Sequence, residues 1–124
     1  MNPCLKRINY EYKYNPSKYN VEKFKEALKL YEFENIKNGI AFGCFSNVDV
    51  SKAMNVEEIT HVIDSLEIKE SSVIMVVNIL DTPKGREYLS TADNIPLKLK
   101  VRGWTNDDGV VVIGSFAIDF AEAD

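Results

Sequence analysis

Histidine is almost missing from this 124-residue chain and cysteine is scarce: His61 stands alone, and Cys4 and Cys44 lie forty residues apart. A familiar zinc site of Cys and His ligands therefore cannot be assembled, and a two-histidine catalytic arrangement is excluded. Any Ser-His hydrolase would have to use His61 as its base. Two cysteines are too few for a disulfide framework and suit a reducing compartment, where packed thiols are expected. The six glycines, Gly39, Gly43, Gly85, Gly103, Gly109 and Gly114, are dispersed, so no phosphate-cradling loop is present. The longest apolar runs, Val73 to Val77 and Val110 to Ile113, are strand-sized and too short to span a bilayer. Met1 to Arg7 leads into alternating tyrosines and not into an apolar signal segment. No metal, cofactor or membrane partner is expected, and the composition suits a soluble protein used in a cytoplasm.

An excess of positive charge is lacking too. Fifteen Lys and Arg against nineteen Asp and Glu leave a net charge of −4, which gives no global pull toward nucleic acid or anionic lipid. What is present is the mixture of a globular protein, 45% hydrophobic and 27% charged. Area scaling gives roughly 20,000 Å² for the unfolded chain and roughly 6,700 Å² for the folded one. That burial supports one hydrophobic core and a single domain over residues 1–124.

Ile8, Tyr10, Tyr12 and Tyr14 alternate with Asn9, Glu11 and Lys13, the period of a strand with one aromatic face. Asn15-Pro16-Ser17 breaks the chain. From about Lys18 to Lys37 the spacing becomes helical, with Val21, Phe24, Leu28 and Tyr31 on one stripe, and Asn38-Gly39 supplies the stop. Ile40 to Phe45 reads as a short strand and Ser46 to Asn55 as a polar connection. Ile59 to Ile68 reads as a strand with Val62, Leu66 and Ile68 as its apolar set, which leaves His61 on the polar face. Ser71-Ser72 signals a turn before the buried strand Val73 to Leu80. Asp81-Thr82-Pro83 supplies a capping residue and a first-turn proline for a helix from Pro83 to about Ser90. Leu97, Leu99 and Val101 alternate with Lys98, Lys100 and Arg102. Asn106 to Gly109 is a hairpin turn into Val110 to Phe120, with a frayed acidic end from Ala121. The order β-α-β-β-β-α-β-β predicts an α+β fold, mainly an antiparallel sheet or barrel of about six strands with two α-helices.

Few of these residues carry chemistry. A strand histidine on a polar face is expected to be structural, and its possible serine partners Ser46, Ser65 and Ser115 sit in no nucleophile-elbow motif. Lys98, Lys100 and Arg102 form a basic strand face ending at Trp104, which could track a phosphate backbone. The solvated side of an amphipathic strand explains them as well, and nucleic acid is not the expected partner.

One phrase goes further. Ile59-Thr60-His61-Val62-Ile63-Asp64-Ser65-Leu66-Glu67-Ile68 is followed by Asn78-Ile79-Leu80-Asp81-Thr82-Pro83-Lys84-Gly85-Arg86-Glu87-Tyr88-Leu89. This layout resembles the tailed-phage prohead (head maturation) proteases, which are related in fold to the herpesvirus assemblins. In that family an L-x-T-P-x-G-R helix start leads, through a loop, into the strand bearing the catalytic serine. Asn38 to Phe45 resembles the strand that leads to the catalytic histidine. The resemblance implies a catalytic pair that this chain lacks: the histidine position reads Ser46-Asn47 and the serine position falls at Lys100-Val101. Losing either partner of such a pair removes nearly all nucleophilic rate enhancement.

The expectation is a non-enzymatic phage virion protein, a capsid auxiliary (decoration) or head-associated protein on a protease-like fold. It would be found in the virion and in the host cytoplasm during assembly. Its partner would be the major capsid protein or another virion protein, with homo-oligomers possible. Tyr10, Tyr12 and Tyr14 with Lys98, Lys100, Arg102 and Trp104 form the candidate contact surface. The alternatives are a divergent serine protease using His61, and a soluble phage regulator or inhibitor.

Overall fold

A computed structural model describes residues 3–47, 56–91, 96–105 and 111–119. The strands are β1 (Cys4–Lys13), β2 (Phe42–Gly43), β3 (His61–Ile68), β4 (Ser72–Leu80), β5 (Leu99–Thr105) and β6 (Val111–Ile118). The helices are α1 (Val21–Tyr31) and α2 (Pro83–Thr91). One antiparallel sheet has the order β1-β4-β3-β2 and a second pairs β5 with β6. A parallel bridge between Phe45 and Ile118 joins them, through Ser46 N–H to the Ile118 carbonyl (2.8 Å) and Ile118 N–H to the Cys44 carbonyl (2.9 Å). The fold is α+β with curled antiparallel sheets, as the order of periodicities predicts.

Helix α1 forms where the sequence changes period. Asn20 caps it by accepting the Lys23 N–H at 3.0 Å, and Phe24, Ala27, Leu28 and Tyr31 recur on one buried stripe. The helix continues as a π-turn over Glu32–Ile36 and stops at Gly39, whose φ of +70° is the left-handed value that glycine adopts without a Cβ clash. The buried stripe lies on an aromatic cluster. Tyr19 stacks on Phe24 at 4.3 Å, Tyr14 meets it edge-on at 5.8 Å, and Tyr12 stacks on it at 5.8 Å. Tyr12 also meets Phe116 of β6 at 5.9 Å, so the two sheets and α1 share one core.

Three expectations are corrected. Strand β3 does not keep one phase: a bulge between Ile63 and Ser65 shifts its register against β4. Extrapolating back from Leu66 and Ile68 points Val62 inward, but before the bulge the inward pair is His61 and Ile63. The expected strand Ile40 to Phe45 is reduced to Phe42–Gly43 and the single bridge at Phe45. The thiols differ: Cys44 is buried, whereas Cys4 is exposed. The expected hairpin turn at Asn106 to Gly109 and the acidic end from Ala121 lie outside the described residues.

Helix α2 begins as its phrase predicts, with Thr82 as the cap and Pro83 at the first position. The Thr82 hydroxyl accepts the Gly85 N–H at 2.9 Å and donates to the Ile59 carbonyl, tying the helix start to the approach to β3. Thr82 is buried, so Thr82→Ala leaves both groups without that partner. A loss of about 1–2 kcal/mol is expected, read as a lower urea midpoint with unchanged slope.

Candidate functional site

The site is built around His61, whose ring is sealed inside the joint between the two sheets. Its Nε2 lies 2.7 Å from the Phe116 carbonyl on β6, and its Nδ1 lies 2.5 Å from the Thr60 hydroxyl. A carbonyl only accepts, so Nε2 carries the hydrogen and donates. In the neutral ring Nδ1 then accepts from Thr60. Burial pushes the imidazole pKa down from 6.5 to about 4, opposed only in part by the bond to Phe116. At neutral pH the ring is uncharged, with both nitrogens committed. Gly43 on β2 faces it, and a Cβ there would collide with the His61 ring and the Phe116 carbonyl.

The structure thus moves His61 from the polar face to the core. Its candidate serine partners are elsewhere engaged or enclosed. Ser115 is buried on β6 next to Phe116, and the Ser46 hydroxyl donates to Asp119 Oδ1 at 3.2 Å. Ser65 is half-buried beyond the β3 bulge. The Cys44 thiol is pushed toward its protonated form by burial, with Arg102 pulling the other way. A protonated buried thiol is a weak nucleophile.

The positions where the resemblance places a catalytic pair come near one another along β6. Ser46 is held to β6 by its N–H bond to Ile118, while Lys100 and Val101 of β5 pair with Ala117 and Phe116. Arg102 crosses from β5 and donates through Nη2 to the Ser46 carbonyl. Asn47 and Lys100 are exposed and Val101 is half-buried. The groups present at this junction are an amide, two cations, two hydroxyls (Ser46 and Ser115) and the Asp119 carboxylate, with the imidazole facing inward.

Fold similarity agrees with this frame. A solved structure of the bacteriophage T4 capsid assembly protease, gp21, superposes with a TM-score of 0.62 over 95% of this chain and 84% of that one, at 14% identity. The fold is prohead-protease-like. No family model matches the chain, and no curated protein matches it in sequence.

Within the prohead-protease-like fold the candidate contact surface divides. Tyr14 is buried, its hydroxyl donating to the Lys69 carbonyl at 3.1 Å. Tyr12 and Tyr10 are half-buried on the inner face of β1. Tyr12 and Tyr14 therefore serve the core, where they replace the expected free aromatic surface, whereas Tyr10 packs against the core with part of its ring uncovered. Lys98, just before β5, and Lys100 on it are exposed, Arg102 is turned to Ser46, and Trp104 stands 60% exposed. Among the described residues no group of three or more His, Cys, Asp and Glu converges to hold a metal ion, and no helix is long and apolar enough to cross a membrane. A cleft of about 350 Å³ beside Cys4, Val62, Asp64 and Asn78 lies at the start of β1. Its carboxylate is already paired with Arg7 at 2.8 Å.

Sequence reasoning missed Thr60, Asp119 and the inward role of Arg102. Only Thr60 left a local trace, a hydroxyl residue adjacent to the lone histidine. The partners of Asp119 and Arg102 lie 73 and 56 residues away in the chain.

Proposed function

We propose that this chain is a non-enzymatic phage virion protein, a capsid auxiliary or head-associated protein that uses a prohead-protease-like scaffold for attachment. The observation that carries the reading is the commitment of the chain's single histidine. Its imidazole is enclosed and neutral, with Nε2 donating to a backbone carbonyl and Nδ1 accepting a threonine hydroxyl. A Ser-His mechanism needs an imidazole nitrogen in contact with the nucleophile. Supplying one would require breaking the β2–β6 joint that His61 seals. Similarity to a capsid assembly protease supports a setting in the virion or in the host cytoplasm during assembly.

Attachment is assigned to the outer face of the β5–β6 pair. Trp104 presents a large exposed indole, with Lys100 on the same strand and Lys98 just before it. An exposed Trp is a residue that interface hot spots favour, and the two lysines suit the polar rim around it. The purified protein is expected to co-sediment with assembled capsids, and Trp104→Ala to weaken that binding about tenfold or more. In parallel, a fluorophosphonate probe is expected to label no serine. Failure to co-sediment with shells would reject the attachment, and stoichiometric labelling abolished by His61→Ala would establish an enzyme instead.

A further inference from the structure

Strand β1 is an edge, and its chemistry specifies what can pair with it. Tyr14 N–H donates to the Ser71 carbonyl at 3.3 Å. The pairs Tyr12–Val73, Tyr10–Met75 and Ile8–Val77 follow in steps of two along the same ladder. These even positions direct their backbone groups to β4. Arg7, Asn9 and Glu11 therefore direct their N–H and carbonyl groups away from the sheet, and none of these groups bonds another described residue.

The inner face of the same strand is incompletely covered. The opposing β4 residues Val73, Met75 and Val77 are fully buried, yet Ile8 and Tyr10 on β1 remain half-exposed and no β1 residue is buried. Beyond the bulge between Cys4 and Lys6, open hydrogen-bonding groups at Arg7, Asn9 and Glu11 lie beside uncovered apolar side chains and make that part of β1 a docking edge.

We propose that β1 pairs antiparallel with β1 of a second copy of this chain, about a twofold axis at Asn9. In that register the outward groups of Asn9 meet those of Asn9 in the other copy. Arg7, which bonds Asp64 at 2.8 Å in its own copy, then stands opposite Glu11, whose carboxylate accepts the Ser72 hydroxyl at 2.8 Å, and Glu11 stands opposite Arg7. The same register sets Ile8 beside Tyr10 across the axis, covering both half-exposed side chains. Moving the axis to Arg7 or Glu11 places like charges opposite each other, and moving it midway between Asn9 and Glu11 sets Arg7 against Lys13. An axis at Tyr12 sets Glu11 against Lys13 but leaves Ile8 beyond the paired strand, so the Asn9-centred pairing is the one that joins open donors and opposite charges with cover for both Ile8 and Tyr10, and it is isologous as a closed dimer requires.

Sedimentation velocity across a micromolar concentration range tests this. The wild-type chain is expected to approach twice its 14.1 kDa mass. Asn9→Pro removes an outward N–H without breaking the β1–β4 ladder and is expected to be monomeric with an unchanged circular dichroism spectrum. Glu11→Lys is expected to weaken association about tenfold by facing Arg7; Arg7→Glu alone loses the Asp64 ion pair and also weakens it, and adding Glu11→Lys to Arg7→Glu is expected to recover association relative to Arg7→Glu, which keeps the test decisive if the proline variant misfolds. A wild-type monomer leaves the edge to a strand of another protein and overturns the proposal. So does a folded Asn9→Pro dimer, or a double charge swap that associates no better than Arg7→Glu alone.

Discussion

Acidification from pH 6.5 to pH 4 is expected to remove about 3 kcal/mol of folding stability through His61 alone. The sign follows from proton binding. An unfolded histidine titrates near 6.5, whereas the enclosed ring titrates near 4. Between those values the unfolded chain binds more protons, so folding stability falls as pH falls and the full contribution is present above 6.5. Protonation also forces a rearrangement at the joint. An imidazolium donates from both nitrogens, so the Thr60 hydroxyl must stop donating to Nδ1 and turn to the Gly43 carbonyl, 3.3 Å away. Hydrogen bonding stays complete, and the buried charge carries the cost. Isolating the imidazole needs a variant that keeps a donor toward Phe116 without a titrating ring. Urea unfolding of wild type and His61→Gln at a series of pH values supplies it. The difference between the two curves should shrink by about 3 kcal/mol on descending from pH 6.5 to 4, and parallel curves would refute the assignment.

That prediction could not have been written from the sequence, although the fold largely could. Alternation in Ile8 to Tyr14, helical spacing from Val21 to Tyr31, and the phrases Asn38-Gly39 and Asp81-Thr82-Pro83 are local signals. Local energetics dictated the elements they mark. The face of β3 was not legible because a single bulge between Ile63 and Ser65 reverses it, and a bulge leaves no mark on hydrophobic alternation except a broken phase. The junction of the sheets was illegible for another reason. Phe45 meets Ile118 and His61 meets Phe116 across long sequence separations, where pairing is decided by closure of the whole core. The aromatic face of β1 was visible, but whether it met solvent or Phe24 depended on where α1 docks. Of the candidate contact residues, Tyr12 and Tyr14 therefore face the core, while Lys98, Lys100 and Trp104 face solvent.

Gly43 is where the architecture at this joint is least tolerant, and Gly43→Ala is expected to cost about 3 kcal/mol or more. The added methyl meets two groups that cannot retreat. One is the His61 ring, fixed by Thr60 and Phe116; the other is the Phe116 carbonyl, fixed within β6. Relief requires β2 to draw away from β6, which would also loosen the Phe45–Ile118 bridge joining the sheets. For a chain of this size the change corresponds to a drop in Tm of roughly 10 °C. Gly39→Ala is the informative contrast, because Gly39 has open space around its Cβ position and carries only the strain of a φ of +70°, about 1 kcal/mol. A double-mutant cycle separates steric from general effects. His61→Ala is destabilising by itself, since it empties space and strands the Phe116 carbonyl. It also removes the ring that the Gly43→Ala methyl strikes. The double variant should therefore be less destabilised than the two single changes added together, by about 1–2 kcal/mol. Strict additivity would mean that the methyl at position 43 is not meeting the imidazole, and that His61 does not seal the joint between the sheets.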